Sequence, residues 1–370
     1  MPENRHCHIE PHVTSNAELT SFFRNLPKAE LHLHLEGMLA PNRVAELARK
    51  YHVDVTVDEI HRRYDSRGFA QFLELYKWAT SFLREPEDCA RLAEDAARSL
   101  KGEGVVYAEV TLSIGVMLLR KQDVHANFQA IREAFKRRHA AGQGPRVQYV
   151  FDAVRQFGPS PAMEVLKHAA ELRSEGVVAF GLGGDELSLP LEVFRPVYAK
   201  ARERGLRLLA HAGETGGSQQ VRDAIDLLGA ERIGHGIAAI RDPNLTAILA
   251  EREIPLEICP TSNLRTKALD IQLNTANPKI SDHPLPKLYR AGVPVSLSTD
   301  DPEMFCTNLT GEYFHAFEMG LSVEELLRIN RAAFNQSFLP DNERGTYLAA
   351  LEKYSSQPER TIGRWPIAHP

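Results

Sequence analysis

The sequence predicts an α/β fold: a (β/α)8 TIM-type barrel with a helical segment inserted after the first strand. Short apolar runs alternate with amphipathic helical stretches, eight such runs can be placed, and one interval is too long for a single crossover. Alternation of this kind implies a mainly parallel sheet, because each crossover must carry the chain back over a face. Eight strands in one array favour a closed barrel over an open sheet.

The elements follow in order. Residues 1–25 are largely polar and read as an N-terminal tail, with residues 26–370 as one barrel domain. His6, His8 and His12 fall in that tail, where nothing fixes a metal geometry. Strands are expected at 29–33, 105–111, 146–152, 177–182, 206–210, 231–235, 255–259 and 293–298. The insertion, about residues 40–100, should contain helices at Pro41–Lys50 and Phe69–Leu83, the second with Phe69, Phe72, Leu73 and Tyr76 on one face. It follows strand one, at the end where barrel active sites are built, so that stripe either roofs a pocket or packs on the barrel. Pro41 and Pro161 suit first helical turns, whereas Pro196 should delay or kink a helix over Leu191–Arg204. Further helices complete the C-terminal part.

Composition narrows the function. The chain has 370 residues, 43 % hydrophobic and 25 % charged, which is globular. A net charge of −5 withholds the usual electrostatic support for nucleic-acid binding, and the run Lys136, Arg137, Arg138 reads as a solvated helix face. Cys7, Cys89, Cys259 and Cys306 are scattered without a CxxC pair, which fits a reduced, cytoplasmic protein. Neither a signal-peptide core nor a membrane-spanning run is visible, and no pattern indicates a protein partner.

Chemistry concentrates at the strand ends. Histidines two apart in strand one, His32 and His34, point to the same side. Strand five ends in His211-Ala212-Gly213-Glu214, strand six in Gly234-His235-Gly236, and strand eight in Ser298-Thr299-Asp300-Asp301-Pro302. Singly, each histidine could be a satisfied core residue, either aspartate a helix cap, and Glu214 a solvated loop residue. Together, three histidines and a carboxylate make a mixed N/O metal site, with a fourth histidine and two carboxylates left for acid–base work. Glu214 suits the acid role, and His235 and Asp301 suit holding a water. The turn Gly181-Leu182-Gly183-Gly184-Asp185-Glu186 lacks the GxGxxG spacing, no Walker lysine follows Glu214, and no GxSxG elbow exists. Cys259 reads as a small buried hydrophobe.

With these motifs in hand, the chain resembles the adenosine deaminase family of metal-dependent hydrolases, from Leu26-Pro27-Lys28-Ala29-Glu30 to Ser298-Thr299-Asp300-Asp301-Pro302. The resemblance implies a barrel holding one Zn2+ per chain on His32, His34, His211 and Asp300. It further implies that Glu214 protonates purine N1, His235 orients the water, Asp301 bonds the water and the N7 side, and the Gly184 backbone meets N3. The implied reaction releases ammonia from a small-molecule 6-aminopurine and leaves a 6-oxopurine.

Departures from the family pattern bear on substrate. Glu36 stands where adenosine deaminases place an Asp near the ribose 5′-hydroxyl, Gly181 replaces an Asp, and Val110-Thr111-Leu112-Ser113 replaces Val-Arg-Tyr-Ser. Adenine and aminodeoxyfutalosine deaminases share the HxHLEG form. The expected activity is therefore deamination of a 6-aminopurine nucleoside, adenosine-like with a modified 5′ end. Arg84 or Arg155 would neutralise an acidic substituent, although surface or structural pairing also explains both. Aminodeoxyfutalosine deaminase, free-base adenine deaminase and a non-catalytic ligand-binding barrel are the alternatives. The placement of Phe69, Phe72 and Tyr76 decides whether a sugar has room.

Overall fold

The computed structural model describes residues 15–65 and 67–356. Its eight strands are β1 (Lys28–His34), β2 (Val105–Leu112), β3 (Arg146–Val154), β4 (Val177–Gly183), β5 (Arg207–Ala212), β6 (Arg232–His235), β7 (Leu256–Ile258) and β8 (Val295–Leu297). Each pairs in parallel with its successor. Leu33 and Asp300 form a single parallel bridge that brings the end of the array back to its start. There the His34 N–H donates to Asp300 O at 2.9 Å and the Asp300 N–H to His32 O at 3.0 Å. All eight expected strands are present, and the last two are trimmed at their ends.

The N-terminal part departs from expectation. Ser15–Asn25 is a helix, α1, rather than a tail. Leu19, Phe22 and Phe23 recur at helical spacing and are buried, and the Tyr354 hydroxyl donates to Phe22 O at 2.8 Å. Polar neighbours masked that short stripe. His6, His8, His12 and Cys7 lie outside the described residues.

The insertion holds α2 (Pro41–Lys50), α3 (Val57–Tyr64), α4 (Phe69–Thr80) and the crossover helix α5 (Pro86–Gly102). Pro41 begins α2 as predicted, and Thr56 caps α3 in a capping box with Glu59. Helix α4 stops three residues before the expected Leu83.

After β2 come α6 (Ile114–Leu119) and α7 (Val124–Ala140), then α8 (Pro159–Glu171) after β3 and α9 (Arg195–Glu203) after β4. Pro196 lies in the first turn of α9, so it delays the helix without kinking it. Between β5 and β8 run α10 (Ser218–Asp223), α11 (Pro243–Glu251), α12 (Pro260–Arg265), α13 (Ala268–Leu273) and α14 (Leu285–Arg290). The C-terminal part is α15 (Pro302–Phe305), α16 (Leu309–Glu318), α17 (Val323–Gln336) and α18 (Asp341–Ser355).

Apolar side chains between strands and helices form the main core, while Val150, Ala179 and Leu209 make a small cluster of their own. The basic run on α7 is a paired surface: Arg137 and Arg138 reach Glu94, and Lys136 lies 3.7 Å from Glu133. Among the described residues no helix is long and apolar enough to cross a membrane.

Candidate active site

Strand alternation turns both His32 and His34 inward, with ring centroids 5.4 Å apart. His211 from β5 and Asp300 just past β8 join them, and the four ligand atoms lie within 4.8 Å of one another. His34 Nε2 is 3.2 Å from His211 Nε2 and 3.4 Å from Asp300 Oδ1, and His32 Nε2 is 3.5 Å from that oxygen. Metal–ligand bonds of about 2.0–2.2 Å in a tetrahedron give edges of roughly 3.3–3.6 Å. His32 Nε2 is buried without a hydrogen-bond partner. Three imidazoles, a carboxylate and this orphaned nitrogen fit a divalent ion such as zinc.

Outer contacts aim these ligands. His32 Nδ1–H donates to Glu257 Oε2 at 2.8 Å and His211 Nδ1–H to Leu182 O at 3.2 Å, which leaves each Nε2 lone pair facing inward. The Ser262 hydroxyl holds Asp300 Oδ2 at 2.7 Å. Arg232 donates to Glu257 Oε1 at 2.6 Å and also reaches Glu109. Burial alone would raise the Glu257 carboxyl, but Arg232 and His32 bring it below the usual range. Side chains from five strands, β1, β2, β5, β6 and β7, thus meet inside the barrel with Asp300 from just past β8. Gly234 makes room for them: a Cβ there would stand 2.7 Å from His32 Cε1.

Beside the tetrad, Glu214 accepts from the Thr266 hydroxyl at 2.9 Å, and its other oxygen lies 3.7 Å from His235 Nε2. Burial, then the charges of Asp300 and Glu186, push the Glu214 carboxyl well above its usual range. Burial thus favours its protonated form. Glu186 shapes the turn by accepting N–H groups from Gly213, Glu214 and Gly216 at 2.9–3.0 Å. Burial and the adjacent Asp300 likewise raise Asp301, whose Oδ1 has no partner.

His235 has one available tautomer. The Leu285 N–H donates to His283 Nδ1 at 3.1 Å, so His283 carries its proton on Nε2 and donates to Asn263 Oδ1 at 3.2 Å. That fixes the amide, whose Nδ2 donates to His235 Nδ1 at 3.1 Å. Burial pulls both imidazoles to about 3, so they are neutral, and His235 must present Nε2–H to the site. His235 and Asp300 both take left-handed backbone, at φ 62° and 67°. Such strain costs roughly 1–3 kcal/mol per residue and tends to mark functional positions.

A cavity of about 120 Å3 opens onto these groups, with Phe69, Phe72 and Tyr76 of α4 on its wall and Gly184 at its side. The insertion therefore roofs a pocket. Glu36 sits behind that wall: Oε1 accepts the Ser113 N–H at 3.0 Å, and the Ser113 hydroxyl meets Tyr76 OH at 2.7 Å. The two arginines proposed from sequence do not line it. Arg84 stacks 4.2 Å from the Tyr51 ring centre, and buried Arg155 is spent on Leu189 O at 2.7 Å and Gln220 Oε1 at 2.8 Å. Lys77 of α4 lies at the cavity instead.

Residues 27–354 match the family described as adenosine deaminase. The chain belongs to the adenosine deaminase family. As a member it is a metal-dependent aminohydrolase. It is 37 % identical to an aminodeoxyfutalosine deaminase of Streptomyces avermitilis, covering 94 % of this chain and 98 % of that one. It is also 35 % identical to an adenine deaminase of Rhizobium meliloti, covering 88 % and 98 % respectively. The crystal structure of an adenine deaminase from Arthrobacter aurescens superposes with TM-score 0.83 at 27 % identity, covering 90 % of this chain and all 100 % of that one.

Within this adenosine deaminase fold, the glycine expected to depart from the family, Gly181, has a spatial counterpart. Asp152 of β3 fills the space: a Cβ on Gly181 would lie 2.5 Å from its Oδ1, and one on Gly183 2.6 Å from its Oδ2. Asp152 lines the cavity, and its Oδ1 has no partner. Sequence reading missed it, along with Glu257, Arg232, Asn263 and His283. A carboxylate inside the apolar run Val150-Phe151-Asp152-Ala153 was the available signal.

Proposed function

We propose that this chain is a zinc-dependent deaminase that hydrolyses the C6 amine of a 6-aminopurine nucleoside with an extended 5′ substituent, of the aminodeoxyfutalosine kind. The observation that carries the chemistry is the His32–His34–His211–Asp300 tetrad lying beside a carboxyl, Glu214, that burial pushes well above its usual range. The 37 % relatives named aminodeoxyfutalosine deaminase support the substrate class.

A divalent ion held by His32, His34, His211 and Asp300 would supply Lewis-acid activation of water. Glu214 donates its proton to the ring nitrogen beside the reacting carbon, so that C6 accepts the incoming oxygen. His235, through Nε2–H, steadies the negative charge that develops on that oxygen. Asp301, whose carboxyl burial and the adjacent Asp300 raise, bonds the N7 side, and the Gly184 backbone meets N3. The water oxygen bonds to C6 and gives up both protons, one to the Glu214 carboxylate and one to the leaving amine, the C6–N bond breaks, and ammonia leaves.

Free adenine is the second reading. The small cavity beneath Phe69, Phe72 and Tyr76 and the relatives named adenine deaminase favour it. Ammonia release should be compared by kcat/KM on adenine, adenosine, 5′-deoxy-5′-methylthioadenosine and aminodeoxyfutalosine. Preference for the last supports the proposal, adenine alone replaces it, and silence on all four with zinc bound sinks both. Glu214→Gln should lower kcat by about 10²–10⁴-fold with zinc content unchanged.

A further inference from the structure

The outer wall of the barrel carries a second cluster with metal-ligand chemistry, made of residues that the active site does not use. His125 is the second residue of α7, and His168 and Glu171 stand three apart on α8, hence on one face. His125 Nε2 is 3.2 Å from His168 Nδ1 and 3.1 Å from Glu171 Oε2, and the last two atoms are 3.7 Å apart.

We propose that His125, His168 and Glu171 form a second metal site that takes a zinc-like divalent cation and ties α7 to α8. The three separations match those of the inner tetrad, at 3.2, 3.4 and 3.5 Å. Both sets lie within about 0.2 Å of the roughly 3.3–3.6 Å edge of a tetrahedral zinc site. The rings agree as well. His125 and His168 have centroids 5.2 Å apart at 69°, against 5.4 Å and 69° for His32 and His34. Two imidazoles and one carboxylate are a zinc donor set, whereas calcium and magnesium want oxygen ligands.

The scaffold fixes the spacing before any ion arrives. Asp123 caps α7 by accepting the Ala126 N–H at 3.0 Å, which sets the turn bearing His125. Arg132 of α7 donates to Glu175 O at 3.0 Å, just beyond α8, and Val165, Leu166 and Ala169 bury the other face of α8. His125 and Glu171 are about half exposed, so a water can complete the fourth position. A trio of hydrogen bonds would explain the same contacts without an ion, and the test separates the two.

Chelator-stripped full-length protein is titrated with Zn2+, alongside the double variant His125→Ala/His168→Ala and the single variant Glu171→Ala. The inner tetrad and any histidines elsewhere are common to all three, so the readout is the difference. The wild type should bind one equivalent more than the double variant, Glu171→Ala should hold that equivalent more weakly, and the Tm gain as the extra equivalent is added should be largest in the wild type, smaller in Glu171→Ala and absent in the double variant. The double variant, once loaded, should keep wild-type kcat. Equal stoichiometry and equal Tm shifts in wild type and double variant would overturn the site and leave a hydrogen-bonded trio.

Discussion

Two side chains that touch no substrate decide how the site presents itself. Asn263 and His283 restrict His235 to one tautomer, with Nδ1 accepting and Nε2–H facing the cavity. Asn263→Asp places an acceptor opposite Nδ1, moves the proton there and removes the Nε2–H donor. The expected result is a kcat loss of at least about 10²-fold, with KM and zinc content close to wild type. A kcat within about twofold would show that the tautomer is immaterial. Glu257 works in the same way on His32. Glu257→Gln should weaken metal affinity by about 10–100-fold, measured by competition with a chelator. The histidines themselves were legible in sequence, since HxH and strand-end motifs announce them. Their supports were not, because Asn263 is 28 residues from His235 and 20 from His283 and is joined to them only by the fold.

At the scale of elements, the strands were legible because parallel strands buried on both faces leave unbroken apolar runs such as Val177–Phe180. Helix α1 was not legible, since three apolar residues among polar ones fall short of a convincing stripe. Its packing carries weight all the same. Phe23 is fully buried, with its ring 5.8 Å from that of Tyr313. Phe23→Ala should cost about 3–5 kcal/mol of stability, read by denaturant unfolding, while zinc content stays unchanged. Loss of zinc in step with stability would mean that α1 also supports the site. Arg84 and Arg155 show the opposite limit. Sequence placed Arg84 at the end of the inserted helix and Arg155 just past β3, but a ring stack claimed the first guanidinium group and Leu189 O with Gln220 Oε1 the second.

Across the whole molecule, the barrel separates chemistry at the C-terminal strand ends from stability at the N-terminal ends, and Lys28 belongs to the latter. It opens β1 fully buried, donating to Phe23 O in the last turn of α1 and to Leu26 O at 3.2 Å. Burial lowers its ammonium to about 7, against the pull of Glu103 and Glu30. Between pH 7 and about 10.5 the unfolded chain keeps this proton while the folded chain has released it. The unfolded state then binds more protons, so the Lys28 contribution to stability rises with pH across that window, by at most about 1.4 kcal/mol per pH unit. Glu30, whose carboxyl burial raises to about 8, acts with the opposite sign, since the folded chain holds its proton from about pH 4.5 to 8. Comparison with Lys28→Met subtracts most of that shared term. Unfolding free energies at pH 7, 8 and 9 should therefore show wild type gaining on the variant at each step. A constant difference would mean that the lysine keeps its proton throughout, held by the carbonyls that end α1.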